Sequence, residues 1–573
     1  MKRRDFINGL TCVGGAMMAP PLLGFSHLGD QSNQMIIEQY ANESIIRADV
    51  VIIGGGLGGV AATLSLLKKG KKVILTEETD WIGGQLTQQG VPADEHQWIE
   101  THGAPKSYRD FRKRIRNYYR NNYPLTEEAK SNPLLNPGGG LVSRICHEPK
   151  VALAVLMDLL APYQSNGQLI LQLDCKAISA DVSDTFVKKI IVQSSITGQR
   201  CMLEAPYFVD ATELGDVLPL TGTEFVIGTE SKEETHELHA PLTGDPDNQQ
   251  AFTTCFALDY VPGEDFVQKP EDYHFWSAYI PAIQPSWSGR LLDLSYSNPR
   301  TLEPKKLGFN PTGKSTGSVL NLWNYRKIIS RSNFQPDFYQ GDITLVNWPQ
   351  NDYMLGNLIG VSDLEFKKHL ASSKQLGLSL LYWLQTEAPR PDGKKGWRGL
   401  RLRKDLMGTE DGFAKYPYVR ESRRIKALFT ILEEHVGKEN RTLVANAGED
   451  ATQAAYFYDS VGVGYYHIDL HPTTKANYVD FASLPFQIPL GALLPIRMDN
   501  IFPANKNIGT THITNGCYRL HPVEWSIGEA VGLLLAFSME KKVLPKEIRR
   551  NKELLVAFQD VLHAEGVETA WKS

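Results

Sequence analysis

Cysteine is scarce in this chain: six in 573 residues, at positions 12, 146, 175, 201, 255 and 517, and none in a C-x-x-C pair. That spacing argues against an iron–sulfur cluster or a cysteine-based structural zinc, so no metal ligand set is expected. Nothing in it asks for a disulfide framework. Charge of one sign never runs long. Lys and Arg number 60 against 65 Asp and Glu, a net charge of −5, and no block points to nucleic acid or an anionic membrane as partner. No stretch reaches about 18 continuous apolar residues, so no integral membrane segment is expected in the mature chain. A single strand-linked G-x-G-x-x-G is present, and a second is missing.

What remains is ordinary globular composition, 42% hydrophobic and 22% charged. At roughly 100–200 residues per domain, two to four units are expected. The chain opens with MKRRDFINGL, followed by TCVGGAMMAPPLLGF. Arg3-Arg4 before Asp5-Phe6 resembles a twin-arginine export signal, which carries proteins that fold before crossing the membrane. Gly14, Gly15, Pro20 and Pro21 interrupt the apolar run and argue against a spanning helix. Residues 1–26 are therefore read as a signal and 27–47 as a polar linker. The expected location is periplasmic or otherwise exported, with the cytoplasm as the alternative.

The informative stretch is VVIIGGGLGGVAATLSLLKKGKKVILTEE, residues 50–78. A continuous β-branched run ends at Ile53, as in a buried parallel strand. Gly54, Gly56 and Gly59 then serve a tight turn, the approach of a pyrophosphate, and close helix packing. Leu57 and Gly58 open a helix whose apolar residues recur at three- and four-residue spacing. Its free N-terminal amides suit a phosphate. After the second strand, Glu77, followed by Glu78, offers a carboxylate to both hydroxyls of an adenosine ribose and would repel a 2′-phosphate.

Two signals select FAD over NAD. Gly83-Gly84-Gln85 follows the ribose acid closely, as is typical of flavoproteins. Residues 168–209 read as a small β-meander that runs into Phe208-Val209-Asp210-Ala211-Thr212-Glu213-Leu214-Gly215-Asp216. A strand ending in D-A-T-x-x-G-D resembles the one that closes the FAD domain of flavin enzymes. The missing second glycine fingerprint argues against a reductase with separate FAD and NAD(P)H domains.

Five stretches carry a family resemblance: GGQLTQQGVPADEHQWIE (83–100), RICHEPKVAL (144–153), FVDATELGD (208–216), YVRESRRI (418–425) and residues 488–532, from IPLGALLPIR to SIGEAVG. With them the chain resembles bacterial FAD-dependent oxidoreductases of the glutathione-reductase-like flavoprotein superfamily, whose members are sometimes labelled xanthan lyase. The resemblance implies an α/β fold. A Rossmann-like FAD-binding domain, with a three-layer parallel sheet and β-meander, is assembled from residues 48–220 and 486–540. An α+β substrate domain, 221–485, is inserted between them, and 541–573 form a helical tail. It also implies FAD and redox chemistry at the flavin. The lyase label carries little weight, because fold-level labels do not transfer function.

In the last stretch, Asn507–Gly509 and Thr511–Gly516 read as a strand and loop passing the flavin, with Gly516 at its end. Pro522 suits the first turn of a following helix. Val523, Ile527, Ala530, Val531 and Leu534 form its expected buried face. That helix N-terminus, with Arg519 and His521 before it, would favour negative charge on the flavin pyrimidine; for Arg519 the equal alternative is a salt bridge to a loop carboxylate. Dehydrogenation also needs a base. The candidates are Glu95 and His96, about ten residues beyond the glycine pair; His147, opening a helix; and His512. His467 and His471 read as surface or satisfied core residues. Arg420–Arg424 reads as the start of a helix over Glu421–His435 and as an interdomain ion network, with a bidentate arginine grip on a carboxylate substrate as the alternative. A second helix is expected over Asp363–Glu387.

The leading expectation is an FAD-dependent dehydrogenase moving hydride from a small alcohol, amine or C–H/C–H pair to the flavin, with an undetermined electron acceptor. The alternatives are a carbohydrate-active lyase with a structural nucleotide and a non-catalytic flavin-binding module.

Overall fold

Val50–Ile53 (β2) is four apolar, β-branched residues in a row, and it becomes a central strand with no exposed side chain. In the computed structural model, which describes residues 44–444 and 451–571, β2 pairs in parallel with Val73–Thr76 (β3) on one side and Tyr207–Asp210 (β8) on the other. Leu169–Gln172 (β4) extends the sheet beyond β3, and Ile501–Pro503 (β13) extends it beyond β8. Alternate side chains of a strand face opposite sides, and here both sides are covered. Val51, Ile53, Ile74 and Phe208 meet the meander, whereas Val50, Ile52, Val73, Leu75 and Val209 meet helices.

The meander is β5 (Cys175–Ser183), β6 (Phe186–Ser194) and β7 (Arg200–Glu204), turning at Asp184 and Gly198 in left-handed conformations. Two boundaries shift from expectation. Leu169–Gln172 belongs to the parallel sheet rather than to the meander. Residues 44–47, expected as the end of a polar linker, form β1 (Ser44–Arg47) on the free edge of β7. The expected signal at 1–26 and the linker residues 27–43 lie outside the described residues.

On the opposite face lie α1 (Leu57–Lys68), α3 (Pro149–Ser165) and α6 (His521–Lys541); α2 (Lys106–Asn122) flanks them. Backbone meets backbone where α6 crosses α1. A Cβ on Gly528 would lie 2.0 Å from the Gly58 oxygen, and one on Gly532 would lie 2.6 Å from the Ala62 oxygen. This embrace corrects the expected single apolar face of α6: every residue from His521 to Ser538 is buried. The tail does form helices, at Pro545–Arg550 and Lys552–Ala564.

A second, antiparallel sheet has the order β10 (Lys327–Ile329), β11 (Ile343–Val346), β9 (Phe256–Tyr260), β12 (Leu400–Leu402). One face, including Ala257, Ile329 and Leu345, continues the core of the first sheet. The other face, with Phe256, Leu258 and Val346, is covered by Leu376, Leu380 and Leu384 of α4 (Asp363–Thr386) and by Trp323 and Trp348. Ser362 and Glu365 cap α4 reciprocally, and its span matches the expected helix closely. The helix expected over Glu421–His435 is absent. Arg424–Ile425 instead pairs with Phe225–Val226, and only Glu433–Val436 is helical. The amides of Ile425, Leu428 and Ile431 donate to Asn507, Leu494 and Gly509, so tertiary partners outcompete the helical ones. Among the described residues no helix is long and apolar enough to cross a membrane.

Candidate cofactor and active site

At the end of β2, Gly54 adopts φ +99°, and a Cβ there would lie 2.3 Å from the carbonyl carbon of Ala211. Only glycine fits. Gly56 caps α1, with an added Cβ 2.4 Å from Asn505 Nδ2, and Gly59 sits against the Gly54 oxygen at 2.2 Å by the same measure. Leu57 is the first helical residue. The Gly58 amide donates to Asn505 Oδ1 at 3.0 Å, while Asn505 Nδ2 donates to the Ala211 oxygen at 2.7 Å. Asn505, just after β13, therefore caps α1 from a distant part of the chain. Sequence reasoning passed over it, although it lies in the most specific of the five resembling stretches.

Glu77 ends β3 with its carboxylate turned to the glycine turn. Oε2 accepts from the Gly55 amide at 2.8 Å and Oε1 from the Thr79 amide at 2.9 Å. Burial pushes its carboxyl up to about 8 against those two hydrogen bonds. Glu78 is pushed up by burial as well, opposed by its 3.0 Å ion pair with Lys176. Gly54, Glu77, Glu78, Lys176, Thr212 and Tyr416 line a pocket beside the turn. Gly83 (φ +107°) donates to the Gly55 oxygen at 2.7 Å, and Gly84 is close enough that a Cβ would lie 2.7 Å from Glu213 Oε1. The second glycine pair thus rests directly on the first turn.

The D-A-T-x-x-G-D segment folds on itself. Asp210 Oδ1 accepts from the Thr212 amide and hydroxyl at 3.0 and 2.7 Å, and Oδ2 from the Val217 amide at 3.2 Å. Burial pushes Asp210 up to about 7. Ala211 donates to the Ile53 oxygen, Gly215 takes φ +66°, and Asp216 pairs with Arg423 at 3.1 Å.

Asn507–Gly509, expected as a strand, is a turn beyond β13, and Thr511–Gly516, expected as the loop after it, is instead the cap and body of α5 (His512–Tyr518), with the Thr511 hydroxyl accepting from Thr514. Gly516 packs that helix against the Asp469 backbone, where a Cβ would meet the amide nitrogen at 3.0 Å. Pro522 occupies the first turn of α6 as expected. Gln85 Nε2 reaches back to the Arg519 oxygen at 2.9 Å. His521 does not add the expected positive charge. Its Nδ1 accepts from the Asp94 amide at 3.1 Å, and burial holds its pKa down at about 4.

The four acid–base candidates share no hydrogen-bond partner. Glu95 is held by Arg112 at 2.8 and 3.1 Å, by the Tyr108 hydroxyl at 2.8 Å and by Ser143 at 3.0 Å. His96 donates through Nε2 to the Gly103 oxygen at 3.1 Å among the rings of Trp98, Tyr465 and Trp571. His147 donates through Nδ1 to the Glu148 oxygen at 2.9 Å. Burial lowers the pKa of both histidines. His512 Nδ1 is bonded to Glu421 Oε1.

Arg519, at the entry to α6, leads somewhere else. It donates to the Tyr418 hydroxyl at 2.9 Å and to Asp469 Oδ2 at 3.0 Å. His471 Nε2 lies 3.7 Å from the same Asp469 oxygen, and His471 Nδ1 donates to Asp352 Oδ2 at 2.6 Å. Asp352 in turn pairs with Arg420 at 3.0 Å, and the Arg420 guanidinium lies over the Tyr418 ring at 4.8 Å. Despite burial, His471 and Arg519 hold Asp469 far below the usual carboxylate range, and Arg420 and His471 lower Asp352. Sequence reasoning missed His471, Asp352 and Asp469. The signal for two of them was His467-Ile468-Asp469-Leu470-His471, whose period of two puts its polar residues on one face of a strand. His467, Asp469 and Asp480 bring ligand atoms within 4.8 Å of one another. Arg519 and Arg300 already hold the two carboxylates at 3.0 and 3.1 Å, which disfavours a cation.

These residues fit FAD. The turn is shaped so that no side chain intrudes, and a buried acid, Glu77, ends β3 beside it, where a dinucleotide's ribose would be expected. Gln85 Oε1, Glu213 Oε1 and both side-chain amide atoms of Gln89 are buried without a protein hydrogen-bond partner.

A family model described as FAD dependent oxidoreductase matches residues 49–562. An NADH:acrylate oxidoreductase from Vibrio harveyi is 46% identical over 52 residues, which is 9% of this chain and 5% of that protein's length. Among solved structures, a geranylgeranyl bacteriochlorophyll reductase-like protein from Thermoplasma acidophilum is 9% identical, with 92% of this chain and 85% of that chain covered at a TM-score of 0.31. p-Nitrophenol 4-monooxygenase from Pseudomonas putida is 13% identical, with 67% and 70% covered at a TM-score of 0.25. The match over 49–562 takes in both the glycine turn and the α6 entry, and the chain belongs to the FAD dependent oxidoreductase family, an enzyme with a Rossmann-like fold and FAD as its cofactor.

Proposed function

We propose that this oxidoreductase dehydrogenates a small organic alcohol or amine, with His471 as the base that takes the O–H or N–H proton. The observation that carries the reading is the Asp352–His471 hydrogen bond of 2.6 Å. A buried carboxylate on Nδ1 fixes the tautomer and leaves Nε2 free to accept a proton. Arg519 joins this dyad, through Asp469, to the N-terminus of α6.

Bound FAD supplies the two-electron acceptor. The chain's part is to hold it and to manage the proton. The amides of the glycine turn and Glu77 would receive the diphosphate and ribose, and the first turn of α6 would favour negative charge on the pyrimidine. Asp352 stabilises the imidazolium that forms on His471. Arg326, Asp352, Tyr418, Arg420, Asp469 and His471 all come from residues 221–485, which supports reading that segment as the substrate-facing part.

The test is anaerobic mixing of FAD-loaded enzyme with a panel of alcohols, amines and sugars, followed by flavin absorbance. A substrate that bleaches the wild type should bleach His471→Ala far more slowly; equal rates would remove His471 from the role. We further propose that the folded enzyme is exported by the Arg3-Arg4 signal. Replacing both with Lys should retain it in the cytoplasm, and unchanged fractionation would refute export by this route.

A further inference from the structure

We infer that the substrate is an uncharged molecule carrying neighbouring hydroxyl groups, recognised by three arginine–aspartate pairs set around Tyr418. The inference rests on the reading of the His471 site given above. The pairs are Arg326–Asp94 at 3.2 Å, Arg420–Asp352 at 3.0 Å and Arg519–Asp469 at 3.0 Å. Arg519 bonds the Tyr418 hydroxyl, Arg420 covers its ring, and the charge of Arg326 acts on it from nearby.

Charge balance decides between ligand classes. A site for a carboxylate or phosphate needs an arginine whose charge is still available. Here each arginine already faces an aspartate, so the three pairs sum to zero. An anionic substrate would bring its charge against Asp94, Asp352 and Asp469 with no net positive charge from the pairs to offset it.

Hydrogen-bonding capacity points the same way. All three arginines are at least nine-tenths buried, and each leaves its Nε–H without a partner. A buried donor left unmade is costly. A hydroxyl both accepts and donates, so one hydroxyl can take an Nε–H and give its own proton to the paired aspartate. Neighbouring hydroxyls on a ring would repeat that exchange along the pairs. Aromatic faces stand beside them: Tyr325 lies 5.2 Å under the Arg326 guanidinium, and the Tyr478 ring lies 5.5 Å from that of His471. Such rings suit the C–H faces of a polyol.

The chemistry balances as oxidation of a secondary alcohol. His471 Nε2 would take the O–H proton, bound FAD would supply the acceptor for the carbon-bound hydrogen and its two electrons, and C–OH would become C=O.

Calorimetric titration of the FAD-loaded enzyme tests this, with myo-inositol and glucose as uncharged probes and lactate and succinate as anionic ones. At least one uncharged probe should bind while the anions do not. Asp469→Asn should weaken that binding about tenfold, with the flavin spectrum retained as the check on folding. Arg326→Lys serves as a second variant with the same expected direction. Anion binding without polyol binding, or binding of neither class, overturns the inference. His471→Ala should keep polyol binding and lose flavin reduction. Fast reduction in that variant would sink the base assignment while leaving the binding result standing.

Discussion

Lys506 Nζ lies 3.5 Å from Glu524 Oε1 and also bonds Glu213, so one buried ammonium serves two buried carboxyls beside the glycine turn. Glu213 is the residue a Gly84 Cβ would strike, and Gly84 in turn touches Gly56. This cluster therefore borders the glycine turn, the proposed seat of the cofactor diphosphate. Burial raises Glu524 above the usual carboxylate range against the pull of Lys506. Its ionisation as pH rises sets a second carboxylate against an incoming anion. FAD affinity of the apoprotein should fall from about pH 6 to about pH 9, by up to about tenfold per pH unit for one linked proton. Glu77 works in the opposite sense, because ribose hydroxyls donate to its charged form. Glu524→Gln isolates the effect: quenching titrations of flavin fluorescence should lose most of the slope, and an unchanged slope refutes the linkage.

Apoprotein stability should also depend on pH. Burial raises Glu77 to about 8 and Asp210 to about 7, whereas unfolded carboxyls titrate near ~4. Between those values the native state holds protons that the unfolded state has lost. The stability these two groups contribute is fully present below about pH 4, falls as pH rises toward about 8, and is flat above. Urea midpoints of the apoprotein across this range measure it. Glu77→Gln should flatten the upper part of the curve, and a midpoint that rises over the same window contradicts the burial argument.

The glycine turn separates folding from cofactor binding. Gly56→Val places a branched side chain where even a Cβ would be 2.4 Å from Asn505 Nδ2, a side-chain rather than a backbone atom. Gly58→Ala meets the Ala504 oxygen, a backbone atom, at 1.6 Å. The first should yield folded protein with little bound flavin, read as absorbance near ~450 nm per polypeptide. The second should cost about 3 kcal/mol or more in unfolding, because backbone on both sides must move. Flavin retained at wild-type level in Gly56→Val would contradict the assignment of the turn to phosphate.

How much of this was legible in the sequence depended on the range of the interactions. From Val50 to Glu77 strand, turn, helix and acid follow from neighbours alone: a β-branched run, three glycines and a helical period. The α6 helix was found, but its Gly528 and Gly532 contacts with α1 were not, because the apolar period describes one face and tertiary packing used all of them. Glu421–His435 failed for the same reason in reverse, with backbone amides spent on Asn507, Leu494 and Gly509. His471 was legible only as part of a two-residue alternation. Its partner Asp352 lies 119 residues away, and no local pattern announces such a meeting.

Glu95 tests whether adjacency to the glycine pair implies catalysis. Its carboxylate and the Arg112 guanidinium are each only 2% exposed, and Tyr108 and Ser143 complete its bonds. Breaking a buried pair from one side costs about 3–5 kcal/mol. Glu95→Gln should therefore lower the denaturation midpoint sharply while the rate of flavin reduction, per bound flavin, stays within about twofold of wild type. A large fall in that rate with unchanged stability would return Glu95 to the active site.

Asp352→Asn probes the base without removing it. An asparagine at this position can offer an amide N–H to His471 Nδ1, which drives the ring proton onto Nε2, the atom required to be vacant. Reduction of bound flavin should slow by roughly 10²–10⁴-fold, and His471→Ala should slow it comparably. Because the two residues act as one unit, the double variant should be little worse than either single one. Single-turnover absorbance traces at a fixed pH, for all three variants with the same substrate, distinguish this from a structural role. If Asp352 served only Arg420, Asp352→Asn would lower stability and leave the reduction rate of the surviving folded enzyme near that of the wild type, and the effects of the two substitutions would multiply.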